Sequence, residues 1–222
     1  MKKNWWKILA VILLLYTVIA GLLMDVPQLR EGNLDQTIRN LHFHVPMWFG
    51  MMIFFTVSLV YSIRYLRSND LKYDHKALEF VNIGIVFGIL GLATGSIWVR
   101  FTWTDAWWVN DPRLNGAAIT MLVYLAYTVL RGSLEDEQQK ARISNIYNIF
   151  AYAVMIPLIV ILPRMTQSLH PGTGGNPGFN VYDLDNNLRK VFYPAVIGWT
   201  LLGLWIASLR IRLKHVSYKL EK

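Results

Sequence analysis

A chain of 222 residues with 54% hydrophobic content, only 16% charged residues and a positive mean hydropathy is too apolar for a soluble domain of its size, and reads as one integral membrane domain covering 1–222. The absence of cysteine excludes disulfides, thiolate metal ligands and a Cys nucleophile, so any metal chemistry is left to His, carboxylate, Tyr or Met. The net charge of +8 does not point to nucleic acid, because the basic residues flank apolar runs, where topology determinants sit.

Six runs are long enough to cross a hydrocarbon core of about 30 Å at 1.5 Å rise per residue. The first covers 5–24. Lys2, Lys3 and Lys7 lead into it as in a secretory signal, but its apolar core is longer than a signal's, and it reads as an uncleaved anchor. The loop 25–44 ends in LHFHVPMW, so that His42 and His44 stand just ahead of the second span, 45–66. Pro46 restricts Val45 to extended geometry, which fixes the chain before the helix begins and makes His44 the better ligand of the two. His42 faces away or supports it.

A short charged connector with Arg67, Lys72, His75 and Lys76 leads to the third span, 80–99. Next comes GSIWVRFTWTDAWWVNDPRLN, Gly95 to Asn115, which gathers Trp98, Trp103, Trp107 and Trp108, four of the nine tryptophans. An indole offers a large flat apolar face and one N–H donor, so this segment suits an interfacial anchor or a platform for a flat apolar ligand. The fourth span, 117–130, is the shortest and borrows from Asn115 and Gly116. After a second charged connector, Arg131 to Arg142, the fifth span covers 143–162. The loop 163–190 carries SLHPGTGG with His170, and its Pro171, Gly172, Gly174, Gly175, Pro177 and Gly178 forbid regular structure. The sixth span, 191–209, runs into a basic tail with His215. No histidine falls within these six runs, and Asn82, with a few hydroxyls and tyrosines, is the only intramembrane polar candidate.

Fifteen of the 22 Lys and Arg residues lie on one side of this arrangement. By the positive-inside rule both termini are cytoplasmic, and the loops 25–44, 100–116 and 163–190 face out. Those outer loops are the longer ones, so local function belongs to them. His42, His44 and His170 share this face with the tryptophans, whereas His75 and His215 sit in basic cytoplasmic segments as solvated surface residues. Neutral imidazole is a good iron ligand, and two imidazoles can fill both axial positions of a haem whose edge is covered by indoles. A cytochrome b-type electron carrier would instead need histidines at membrane depth. A transporter with an aromatic belt would need polar groups along a path.

These residues also carry a resemblance. TGSIWVRFTWTDAWWVNDPRLN resembles the tryptophan-rich "WWD" signature, approximately W-G-x-W-W-x-W-D-x-R-L, of the haem-handling membrane proteins of cytochrome c assembly. HVP before the second span and SLHPG after the fifth resemble that family's paired external histidines. Essentially the whole chain is similar to the six-span cytochrome c maturation protein C (CcmC) branch, in span count, topology and motif order. The resemblance makes Trp103, Trp107, Trp108, Asp111, Arg113 and Leu114 the signature residues, with Trp98 nearby and His44 and His170 as the axial pair. There are two departures: one extra residue precedes Trp107, and Asn110 stands where the family usually has its third tryptophan.

What the resemblance implies is an all-α six-helix bundle in the bacterial inner membrane that binds haem b on its external face. It would present the haem to a periplasmic haem chaperone without breaking a bond in a substrate. Its partners would be a small single-span protein and ABC transporter subunits, which would supply any ATP use, since the chain has no P-loop. The haem propionates suit guanidinium groups, among which Arg39, Arg100, Arg113 and Arg164 lie on the outer side. The alternative within the superfamily is a haem lyase or synthase, whose members are longer and carry further spans.

Overall fold

The computed structural model describes residues 4–26, 34–102, 111–166, 168, 170 and 184–220. Its helices are α1 (Trp5–Leu23), a short α2 (Leu34–Thr37) with a 3-10 turn at Ile38–Asn40, α3 (Leu41–Ser68), α4 (Leu71–Thr102) and α5 (Pro112–Gly132). α6 (Glu137–Ile156) continues through a π-helical turn, Pro157–Ile161, into α7 (Leu162–Met165), and α8 is Asn186–Leu220. Six of these helical stretches are long and apolar enough to cross a membrane, as the sequence requires. No strand occurs among the described residues.

The helices outrun the apolar runs at several ends, and one of these extensions changes the reading of the site. α3 begins at Leu41, so His42 and His44 lie inside it and Val45 is helical rather than extended. The preference that Pro46 imposes on its predecessor is a local steric cost, and tertiary packing overrides it here, because Pro46 and Met47 are both buried against the bundle. The proline still removes one ladder donor. α5 likewise starts at Pro112, with Asp111 as its N-cap, and its 21 residues suffice for a span of about 31 Å.

α3 and α4 form the centre of the bundle, joined by a tight turn in which Asn69 adopts φ 52°, a conformation that asparagine tolerates better than most residues. Their faces interlock reciprocally: Gly50 of α3 receives the Phe87 ring of α4, and Gly84 of α4 receives the Phe55 ring of α3. Phe55 in turn stacks on Tyr124 of α5, ring centroids 3.5 Å apart. A Cβ at Gly84 would fall 2.5 Å from Phe55 Cε1. Gly84→Ala is therefore expected to destabilise the bundle by about 1–3 kcal/mol, read as a lower melting temperature in detergent. An unchanged melting temperature would show that Phe55 swings aside freely.

The interior is more polar than Asn82 alone suggests, and that expectation is corrected. Near the start of α4, Arg131 of α5 grips Asp74 with two hydrogen bonds of 2.8 and 2.6 Å. Asn145 of α6 donates to the same carboxylate at 2.6 Å. One turn further along α6, Asn148 donates to Ser58 and Ser62 of α3, both at 2.8 Å, and Arg210 of α8 pairs with the buried Glu79. Asn82 itself is only half-buried. α1 is the outlying helix and packs chiefly on α8.

Candidate functional site

At the far end of α4 from Asp74, about 30 Å along the helix, α3, α4, α5 and the π turn enclose a cavity of about 200 Å³. Much of its wall is apolar, with Trp48, Met52 and Leu92 among the lining residues, while His44, His170, Arg113, Arg164 and Ser96 are among its polar ones. A π turn arises where a helix absorbs an extra residue. Here it begins at Pro157, which lacks an N–H and cannot sustain the α-helical ladder. The bend carries Leu158 against α5, where Gly116 leaves room: a Cβ there would meet the Leu158 carbonyl at 2.7 Å.

His44 is set by α4. Its Nδ1 lies 3.0 Å from the Gly91 carbonyl and 3.1 Å from Thr94 Oγ1. A carbonyl only accepts, and the Thr94 hydroxyl already donates to the Leu90 carbonyl at 2.7 Å, so Nδ1 must carry the proton and donate. Nε2 is then left with its lone pair, the tautomer a metal ligand needs. Two glycines on one face of α4 make space for this. A Cβ at Gly91 would lie 2.8 Å from Trp48, and one at Gly95 would lie 2.7 Å from His44 Cε1. Asn40 donates to the Thr94 carbonyl at 3.1 Å and ties the start of α3 to the same turn of α4.

His170, distant in sequence, meets His44 here. Their ring centroids are 6.1 Å apart with planes inclined by 44°. Two imidazoles bound opposite one another on a single metal, each with a metal–nitrogen bond of about 2 Å, need a ring-centre separation of about 6 Å. Trp98 lies beside His170, 6.3 Å between centroids, and Trp48 meets His44 edge-on at 6.2 Å. The ring separation is that required of two histidines sharing one iron. The cavity is smaller than the roughly 300–1,000 Å³ of sites that enclose a drug-sized ligand, so a macrocycle would enter by one edge only.

Of the residues singled out from the sequence, His44, His170, Trp98, Asp111 and Arg113 gather at this end. Asp111 Oδ1 caps α5 by accepting from the Arg113 and Leu114 amides at 2.9 and 3.3 Å. Arg113 donates to the Pro163 and His170 carbonyls at 3.1 and 3.2 Å. Trp103, Trp107, Trp108 and Asn110 lie outside the described residues. His42 points to the opposite face of α3, fully buried beside Gly21 of α1. Arg39 is committed to the carbonyls at the end of α1, Met24 at 2.8 Å and Gly21 at 3.4 Å, Arg164 folds back on the Val160 carbonyl, and Arg100 is exposed.

Trp48, Gly91, Thr94, Gly95 and Ser168 have roles here that the sequence does not assign, although Trp48, Thr94, Gly95 and Ser168 fall within the motifs quoted above. Gly91 and Gly95 carry one further signal, since two small residues four apart in an apolar helix mark a close interhelical approach.

The model of the family described as heme exporter protein C matches residues 2–221. The heme exporter protein C of Haemophilus influenzae is 26% identical over 218 residues, covering 93% of this chain and 81% of that protein. The Escherichia coli K12 protein of the same name is 25% identical over 211 residues, with 94% and 81% coverage. A more distant likeness, 30% over 92 residues and 41% of this chain, links it to the cytochrome c biogenesis protein CcsA of Pelargonium hortorum, of which it covers 29%. With six membrane-length helices and bacterial relatives aligned along nearly its whole length, this is a multi-pass inner-membrane protein that belongs to the heme exporter protein C family.

Proposed function

We propose that this chain is a haem-handling protein of cytochrome c maturation, which holds haem b between His44 and His170 and hands it to an acceptor. The observation that carries this reading is the pair of imidazoles 6.1 Å apart, one of them fixed by Gly91 in the tautomer that leaves Nε2 available. Bis-histidine ligation leaves iron no open coordination position, which suits a carrier rather than an oxygen-activating enzyme. Transfer then needs ligand exchange alone, and no bond in a substrate is broken.

The remainder of the reading rests on the charge bias of the loops and on the family. The histidine face is external, the tryptophan segment with Trp103, Trp107 and Trp108 covers the edge of the macrocycle, and arginine on that face meets its propionates. A periplasmic haem chaperone is the acceptor. A small single-span protein and ABC transporter subunits complete the assembly. Purification from haem-making cells tests the core of the proposal: a low-spin, six-coordinate absorption spectrum is expected, and a colourless protein would defeat it.

Gly95 offers a second handle. Gly95→Ala would press a methyl group on the His44 ring, and overpacking of about 1–3 kcal/mol corresponds to a haem affinity roughly 5–150-fold weaker. Haem titration of the purified variant measures this. Unchanged affinity would mean that His44 is not held at the iron from the α4 side.

A further inference from the structure

Asp111 divides its two carboxylate oxygens between two tasks. Oδ1 closes the first turn of α5, the ordinary work of an N-cap. Oδ2 accepts a 2.6 Å hydrogen bond from the hydroxyl of Ser168, 57 residues away in sequence. The same hydroxyl oxygen accepts from the backbone N–H of His170 at 3.0 Å. Asp111 is 4% exposed, so a charge-assisted bond in these surroundings is worth more than a neutral one in water. Arg113, two residues on, donates to the His170 and Pro163 carbonyls.

We propose that Asp111 and Ser168 are positioning residues that latch the backbone of His170, so that the last carboxylate of the tryptophan-rich signature sets the second imidazole rather than touching the ligand. This deepens the haem reading above and rests on it for its spectroscopic arm. The two histidines are then held by different means. His44 is fixed by contacts within packed helices, whereas the backbone of His170 is held by the Ser168 hydroxyl, itself bonded to Asp111, and by the Arg113 guanidinium. A plain helix cap would require neither Oδ2 nor Ser168.

Ser168→Ala removes the latch and leaves the cap of α5 intact, and Ser168→Thr restores a hydroxyl. In haem-free protein, amide hydrogen exchange at His170 is expected to quicken several-fold in Ser168→Ala and to return toward the original rate in Ser168→Thr. In haem-loaded protein, Ser168→Ala is expected to shift part of the six-coordinate low-spin spectrum to five-coordinate high-spin. Added imidazole should restore it by replacing a ligand that is present but misplaced.

Unchanged exchange and an unchanged spectrum in Ser168→Ala would overturn the latch. So would loss of haem that imidazole cannot recover, since that would make the hydroxyl a contact of the ligand or of the fold. If the unmodified protein shows no low-spin haem, the haem reading fails instead, and the exchange measurement still decides the latch.

Discussion

His170→Ala is expected to leave the protein folded and to convert its haem from six-coordinate low-spin to five-coordinate high-spin, with affinity reduced by more than about 100-fold. The scale follows from the 10–100-fold cost of losing only a group that supports a metal ligand; the ligand itself should cost more. His44→Ala should weaken haem binding at least as far, because His44 is the pre-organised partner: helix-borne, with Nδ1 bonded to Gly91 and its ring against Gly95. Absorption spectra and haem titration of the purified variants measure both effects. A low-spin spectrum surviving in both would remove the pair from the iron.

At the opposite end of α4, Asp74→Ala is expected to cost up to about 3–5 kcal/mol of stability, because it strands the largely buried Arg131 cation without its partner. Asp74 is 1% exposed and accepts from Arg131 twice and from Asn145 once, so three donors on two helices lose their acceptor together. Replacing both members of the pair with apolar residues of similar volume should cost much less than the single change. Thermal unfolding in detergent compares the two. Equal losses in both variants would show that the energy lies in packing rather than in the stranded charge.

The six spans are legible from the sequence because uninterrupted apolar length is a one-dimensional property, and the family signature adds the histidines. The helix ends are less legible. Lys, Arg and Glu are good helix formers, so α8 runs on through Arg210 and Arg212 to Leu220 although the apolar run stops near Leu209. The helical start of α3 is obscured for a related reason: Pro46 speaks against a helix locally, and only burial against the bundle outweighs it. Asn145 and Asn148 look like ordinary polar residues at the start of an apolar run until α3 and α4 supply Ser58, Ser62 and Asp74 as partners. Ser168 is one serine in a loop, and nothing in its neighbours announces a carboxylate 57 positions earlier.

The π turn at Pro157–Ile161 has a consequence for how the two ends of the molecule relate. One extra residue advances the phase of a helix by about 100°, so the stretch from Glu137 to Met165 is two rods whose faces are offset from one another. The inner rod takes its angle from Asn145 and Asn148, locked to α3 and α4. The outer rod takes its angle from Leu158 seated against Gly116 and from Pro163, whose carbonyl binds Arg113. The offset lets one helical stretch satisfy two sets of contacts at once, the polar anchors at one end and the cavity wall at the other.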